Sequence, residues 1–197
     1  MRGPEGFLAI WSDVSDADRT DYLHWLTREH IEERLAVPGF FRARVFRARR
    51  DDINRYLILY ELAGASVLGS APYLARLNQP TAWSQRVMRR LTNFRRGGGQ
   101  VASKIGFGRG GLIRPIIASS GGTVANWRTA LPDRVCRVCV MVTDVTQTGI
   151  ETAEKKLRTG DTTFAGLVVL EGFDAAALRD ALPGTADETL YETVFAS

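Results

Sequence analysis

Three residues of the first predicted helix, His30, Glu29 and Arg34, could together carry out proton transfer. Histidine is a common general acid or base because its pKa lies near neutrality. His30 recurs at helical spacing with Tyr22 and Leu26, which places it on the apolar face of the helix. We therefore expect His30 to move a proton, with Glu29 or Arg34 orienting it or balancing its charge. The alternative is that His30 is a buried histidine without a chemical role.

A metal or redox site is not favoured by the other ligand-type residues. His24 precedes His30 by six residues, about 600° of helical rotation, so the two side chains lie on different faces. Cys136 and Cys139 form a C-x-x-C pattern, but they lie in a period-two strand and point to opposite faces. A redox pair normally begins a helix instead. The sequence predicts core packing for both cysteines and no metal site.

Aromatic and basic residues elsewhere in the first half could line a pocket for a small molecule. The candidates are Trp11 on the first strand, Tyr60 on the third strand, Trp83, and Arg28 on the first helix. A flat apolar pocket with a few polar groups suits an aromatic or polycyclic compound, and an arginine would hold its carboxylate or enolate oxygen. Core or surface positions are the alternative interpretation of the same residues.

The segment Gly106–Gly111 satisfies the G-x-G-x-x-G pattern of dinucleotide-binding proteins. That motif requires a strand before it and a helix after it, so that the helix N-terminus holds the pyrophosphate. Here it is followed by an apparent strand over residues 112–118. The segment is therefore predicted to connect two units and not to bind a nucleotide.

The first half of the chain is predicted to follow a strand–helix–strand–strand–helix–strand order. Alternating and continuous apolar runs indicate the strands, and three- and four-residue spacings indicate the helices. Residues Pro38-Gly39 end the first helix, and Asp51 to Asn54 form a turn between two hairpin strands. The predicted elements are strand 7–11, helix 15–37, strands 40–49 and 56–60, helices 66–77 and 82–91, and strand 92–96.

The second half repeats this order faintly. Residues 111–119 echo residues 6–12, a shortened first helix is predicted at 125–131, and residues 151–158 are predicted to be helical. Self-similarity at about 100 residues indicates duplication. We expect an α+β protein of two tandem ferredoxin-like units, residues 1–97 with the site and residues 98–197. Each antiparallel sheet has helices on one face only, so the other faces should pack together as an α+β barrel.

The motifs around the first helix resemble the dimeric α+β barrel superfamily, in particular its EthD-like and uncharacterised tandem-barrel branches. The resemblance lies in Trp25 to His30, in Val37 to Phe40, and in the segment 73–83, and it covers most of residues 6–96. It implies enzymes such as cofactor-free monooxygenases, isomerases, cyclases, lyases and decarboxylases, besides haem-binding members. Leu26 departs from the pattern, since similar sequences often have histidine there, which weakens any mechanism that needs two histidines on this helix.

The charge and hydropathy of the sequence limit the classes of partner and the location that we expect. The chain has 26 Lys plus Arg and 22 Asp plus Glu, and its net charge of +4 comes from arginines of the first half. No recognition helix or aromatic platform accompanies that charge, so nucleic-acid binding is not expected. No apolar run approaches the roughly 18–20 residues of a membrane span, and no secretory signal is evident. A cytoplasmic location is expected.

The leading hypothesis is a cofactor-independent enzyme that moves a proton on a small aromatic or carbonyl compound, as isomerases, cyclases, lyases and decarboxylases do. Such a step needs only a placed base and a donor to the developing oxyanion. One alternative is a binding or scaffold protein without chemistry. Another is haem binding with His30 as axial ligand. Chains could also pair as homo-oligomers.

Overall fold

The computed structural model describes residues 5–118, 130–158, 160–181 and 188–197. Long alternating segments of these ranges form β-strands, as the period-two patterns predict. Eight strands lie within the described residues: β1 (Gly6–Ser15), β2 (Phe40–Arg50), β3 (Ile53–Leu62), β4 (Thr92–Gly106), β5 (Leu112–Ala118), β6 (Val135–Thr143), β7 (Gly166–Gly172) and β8 (Tyr191–Ala196).

The strands close into one antiparallel barrel in the order β1-β3-β2-β8-β5-β7-β6-β4, with β4 pairing back to β1. Residues 6–106 supply four neighbouring strands in the order β4-β1-β3-β2. Residues 112–196 supply the other four in the order β8-β5-β7-β6, so that the first, second, third and fourth strands of each half occupy equivalent places. The two sets meet where β2 pairs with β8 and where β4 pairs with β6. Closure leaves no sheet edge exposed. The expected α+β class with an antiparallel barrel is confirmed.

The wall of the barrel separates two apolar regions. On β1, Phe7, Ala9 and Trp11 point into the barrel interior, whereas Leu8 and Val14 point outward against the helices. Successive side chains of a strand alternate between its two faces, so both faces of β1 are buried. The position of a residue in this alternation therefore decides whether its side chain points into the barrel or toward the helices.

Six α-helices lie within the described ranges, and the first four cover the outer face of β1, β2 and β3. Their bounds are α1 (Arg19–Trp25), α2 (Ile31–Leu35), α3 (Ala71–Asn78), α4 (Ala82–Met88), α5 (Val145–Thr148) and α6 (Ala175–Asp180). None of the helices in the described residues is long and apolar enough to span a membrane.

The first predicted helix is interrupted. One π-helical turn, Leu26–His30, joins α1 to α2, which ends at Leu35 and not at Val37. The Thr27 hydroxyl donates to the Leu23 carbonyl within this stretch, at 2.7 Å. A π-helical turn inserts extra backbone into a helix and is frequently found at functional sites.

Two helical predictions are corrected by the structure. Residues 66–77 form a 3₁₀ turn, Ala65–Gly69, followed by α3, because Pro72 begins a new helix after an extended Ser70. Residues 151–158, predicted to be helical, contain only the 3₁₀ turn Lys155–Leu157. The predicted helix at 125–131 lies almost entirely outside the described residues.

The glycine-rich segment after residue 96 is strand up to Gly106, and residues 107–111 of the predicted connection join β4 to β5. β4 continues to Gly106, ten residues beyond its predicted end at Arg96. A Cβ at Gly97 would lie 2.4 Å from the Phe164 ring, and one at Gly99 would lie 2.1 Å from the Val142 carbonyl oxygen. These glycines therefore allow close packing inside the barrel and next to β6.

Candidate active site

An aromatic layer lies between the outer face of the sheet and helices α1 to α4. One series of ring contacts runs from Tyr56 to Tyr22 (4.8 Å between centroids), then to Trp25 (5.8 Å) and to His30 (4.3 Å). A second series packs Phe40 against Tyr60 and Tyr73. The aromatic layer consists of Tyr22, Trp25, His30, Phe40, Tyr56, Tyr60 and Tyr73.

His30 ends the π-helical turn and is buried, with 3% of its surface exposed. Burial, and then the nearby guanidinium groups of Arg34 and Arg158, hold the pKa of His30 well below its ordinary value of 6.5. The imidazole is therefore neutral at neutral pH. Its Nδ1 atom has no hydrogen-bond partner among the described residues, so this nitrogen is available to another group.

Two tyrosine hydroxyls of the layer also lack a partner. The hydroxyls of Tyr56 and Tyr60 are buried and have no hydrogen-bond partner among the described residues, whereas the buried hydroxyl of Tyr22 interacts with the side chain of Ser12. Burial raises the pKa of Tyr22 and of Tyr60, so both remain protonated donors. Buried polar groups are normally hydrogen-bonded, so a cluster of exceptions indicates a place where another group binds.

Glu29 does not contact His30 directly. Its carboxylate accepts hydrogen bonds from the hydroxyls of Thr81 (2.6 Å) and Ser84 (3.2 Å) at the beginning of α4. The Ser84 hydroxyl in turn accepts from the indole Nε1 of Trp25 at 3.0 Å. Because Trp25 stacks on His30, Glu29 acts on the imidazole only through Ser84 and the indole.

Arg34 lies in a buried ionic cluster next to the layer. Its guanidinium pairs with the carboxylate of Glu154 and lies 3.8 Å from Glu33. Arg158 approaches the same Glu154 at 3.7 Å and pairs with Asp161 at 3.0 Å. The positive charge near His30 thus comes from two guanidinium groups that share one carboxylate.

The structure does not bring Trp11 to this layer. Trp11 points into the barrel interior, where it packs edge-on against Phe164 with 5.5 Å between ring centroids. Tyr60 points to the helices from the opposite face of the same sheet. The expectation that both residues line one pocket therefore does not hold, because their strand parities differ.

The other two predicted pocket residues lie at the outer edge. The half-buried Trp83 donates from Nε1 to Asp21 at 2.9 Å, and Arg86 lies over its ring. Arg28 is exposed and lines an open depression of about 490 Å³ that also contains Glu32 and Glu33. Neither residue contacts the imidazole of His30.

A cavity of about 150 Å³ borders the aromatic layer on the side of the second half. It is lined by Arg96 and Arg158 among others, and Arg96 also donates to the hydroxyl of Tyr73 at 3.3 Å. None of the cavities described in this section is lined by His30. The aromatic layer is buried in this structure, and a cavity lined directly by its Tyr22 has a volume of only about 10 Å³.

Several residues of the layer were absent from the sequence-based site. Tyr56 and Tyr60 share a strand face, so period-two alternation could have paired them. Tyr22 precedes His30 by eight residues, a helical spacing, whereas Trp25 precedes it by five residues, which is not one. Glu154 gave no signal, because it lies outside regular secondary structure.

Groups of three or more metal-ligating side chains placed to hold an ion are absent from the described residues. Both cysteines are free; Cys139 lies against the barrel interior and Cys136 donates to the Glu171 carbonyl. Haem ligation by His30 stays a prediction.

Comparison with known proteins supports the fold alone. No protein-family model and no curated protein matches the sequence. Among solved structures, an anthrone oxidase-like protein superposes with a TM-score of 0.60 at 10% sequence identity. The superposition covers 98% of this chain and 93% of the anthrone oxidase-like chain. A protein of Fusobacterium nucleatum subsp. nucleatum, named as a candidate monooxygenase, gives 0.50 at 9% identity, covering 98% and 94%. The chain is thus similar in fold to these α+β barrel proteins; membership of the EthD-like branch stays a prediction.

Proposed function

We propose that this chain is an enzyme that binds a small aromatic or polycyclic carbonyl compound in the aromatic layer and removes a proton from it with His30. One observation carries the proposal. The Nδ1 atom of His30 and the hydroxyls of Tyr56 and Tyr60 are buried in one apolar layer without hydrogen-bond partners among the described residues. An apolar site with a few convergent polar groups is typical of small-molecule binding.

The proton step uses the groups of the layer in distinct roles. The neutral imidazole accepts a proton from an acidic C–H group whose carbanion is conjugated with the carbonyl, leaving imidazolium and an enolate. The tyrosine hydroxyls donate hydrogen bonds to the enolate oxygen, where negative charge develops. A nearby negative charge favours the protonated form of an imidazole. The pKa of His30 therefore rises as negative charge develops on the substrate. The enolate can be reprotonated at another carbon or can transfer electrons to dioxygen.

The name of one structural neighbour supplies a compound to test as substrate. Anthrone, which the anthrone oxidase-like protein's name contains, is a flat tricyclic ketone whose CH₂ group is acidic because its anion is delocalised. Such a compound fits a layer built from aromatic rings, in which stacked rings stabilise each other beyond the area they bury. We therefore choose anthrone as the first substrate to test. The proton step itself requires no cofactor.

Access to the layer requires a local rearrangement. Trp25 stacks on His30, and Glu154, the partner of Arg34, also lies 3.7 Å from Arg158, which lines the 150 Å³ cavity. We infer that the substrate enters past Arg96 and Arg158, with opening of the segment that carries Glu154. Closure over the substrate would then exclude water from the enolate.

The two halves are proposed to be tandem ferredoxin-like units, residues 1–97 and 98–197, because their strands follow corresponding orders in the barrel. The outer face of the second half packs a smaller apolar cluster with α6, around Val138 and Leu178. That cluster contains no aromatic side chain among the described residues. The proposed chemistry therefore belongs to the first half.

The test is turnover of anthrone, followed by its absorbance, with His30→Gln and the matched control His24→Gln. His24 is an exposed histidine on the same helix. General acid–base catalysis contributes about 10²–10⁴-fold, so His30→Gln should lose that factor in kcat while His24→Gln keeps the rate. Equal rates for wild type and His30→Gln would remove His30 from the mechanism. Binding without turnover in wild type would instead support a binding protein, a role with which the closed layer is compatible.

A further inference from the structure

One end of the barrel opens into a depression of about 450 Å³, which is lined by none of the aromatic-layer residues. The depression lies where β2 and β6 begin and where β3 and β4 end. A smaller cavity of about 30 Å³ continues inward from it toward Cys139 and Met141. The lining residues are Arg42, Glu61, Lys104, Gly106, Phe107, Gly108, Arg109 and Arg137. Four of these carry positive charge and one carries negative charge.

The two carboxylates at this end are already paired. Glu61 forms an ion pair with Arg109, whose guanidinium also lies 3.7 Å from Glu171. Arg44, buried below, pairs with Glu171 at 2.6 Å. These pairs hold Glu61 and Glu171 at this end of the barrel.

Arg42 and Arg137 therefore face the depression with uncompensated charge. Neither forms an ion pair with a carboxylate of the described residues, and they come from different strands, β2 and β6. Two guanidinium groups that converge on one concave surface are suited to an anionic group with several oxygens. Their positive potential attracts an anion before contact.

An aromatic side chain completes the depression. Phe107 is 94% exposed and lies in the loop between β4 and β5. The flanking Gly106 and Gly108 have φ of +86°, and a Cβ at Gly106 would lie 2.2 Å from the Cys136 carbonyl oxygen. The backbone thus places the phenyl ring at the rim, where it contributes nothing to the protein core.

We propose that this depression is a second ligand site, which binds a small aromatic anion such as a carboxylate, sulfonate or phosphate monoester. Arg42 and Arg137 bind the anionic group, and Phe107 stacks on the ring. The volume lies within the usual range of small-molecule sites, roughly 300–1,000 Å³. A nucleotide bound through the G-x-G-x-x-G pattern of residues 106–111 is not implied, because β5 and not a helix follows.

The test uses 2-naphthalenesulfonate as the probe, with 2-naphthalenemethanol as its uncharged counterpart and inorganic phosphate as its ring-free counterpart. Affinities are measured by calorimetry on the full chain. We expect the sulfonate to bind at least tenfold more tightly than the alcohol. Raising the salt concentration should weaken its binding, since exposed charges are screened.

Variants separate this site from general attraction to a basic protein. Arg42→Ala and Arg137→Ala should each weaken sulfonate binding about tenfold, because each removes a hydrogen bond to a charged group. Arg89→Ala removes the same charge from an exposed position on the helical side and should leave the affinity unchanged. Phe107→Ala should weaken the sulfonate but not phosphate. Unchanged affinity in both depression variants, or an equal loss in Arg89→Ala, would overturn the proposal.

Discussion

The guanidinium of Arg34 and the carboxylate of Glu154 form a buried ion pair that joins two positions 120 residues apart in the sequence. The backbone amide of Glu154 also donates to the Leu77 carbonyl at the end of α3, at 2.9 Å. Arg158 packs over the Phe94 ring four residues further on. A segment of the second half therefore packs on the first half through an ion pair, a backbone hydrogen bond and a ring contact.

The first prediction concerns the stability that this ion pair supplies. Glu154→Gln removes the carboxylate that pairs directly with the buried guanidinium of Arg34 and leaves it the more distant Glu33, at 3.8 Å. Breaking a buried pair costs about 3–5 kcal/mol, so the free energy of unfolding in urea should fall by roughly that amount. Glu151→Gln is the matched control, because Glu151 pairs with Lys155 on the surface. A Glu154→Gln variant as stable as the control would show that the pair does not hold the segment in place.

The second prediction concerns pH. The folded protein holds the pKa of His30 well below its ordinary value of 6.5, mainly through burial. Below pH 6.5 the unfolded chain binds a proton at this residue that the folded chain does not, so stability falls as pH decreases. The difference in unfolding free energy between wild type and His30→Gln should therefore shrink from pH 7.5 to pH 5.5. The control His24→Gln should keep a constant difference in unfolding free energy from wild type over the same range. A constant difference for His30→Gln as well would contradict a neutral imidazole at His30.

The sequence predicted the fold better than the site, for reasons that particular residues make clear. The continuous apolar run of β1 and the repeated strand order indicated antiparallel sheets with both faces buried, and a closed barrel satisfies both. Glu29 and His30 are adjacent in sequence, but a helix turns successive side chains by about 100°, so Glu29 faces α4. Glu154 belongs to an irregular segment, where no periodicity indicates what a side chain contacts.

The third prediction separates the two faces of the sheet. Trp11→Ala should cost about 3–5 kcal/mol, as loss of a large buried aromatic side chain does, without changing the affinity of the folded protein for anthrone. Tyr60→Phe removes only a buried hydroxyl without a partner, so its stability should hardly change while anthrone binds more weakly. Calorimetric affinities and urea titrations on both variants provide the comparison. Reversed effects would place the ligand inside the barrel.

The fourth prediction concerns the packing of β4 inside the barrel. Gly97→Ala would bring a methyl group into the Phe164 ring, 2.4 Å from its nearest carbon. Overpacking of this kind costs about 1–3 kcal/mol, and the additional change Phe164→Leu should recover part of the loss. Gly64→Ala is the control, since a Cβ there meets no atom within 4 Å. Equal stability of the two single variants would contradict the described contact between β4 and Phe164.

Proton removal by His30 is tested most directly by deuterium exchange at the CH₂ group of anthrone, measured by NMR in D₂O without dioxygen. Anaerobic conditions isolate the proton step from oxidation. Wild type and His24→Gln should exchange deuterium into anthrone faster than buffer alone. His30→Gln, measured at a pH at which it is folded, should exchange it at a rate close to that of buffer alone. Acceleration by His30→Gln equal to that of wild type would contradict the assignment of His30 as the proton acceptor.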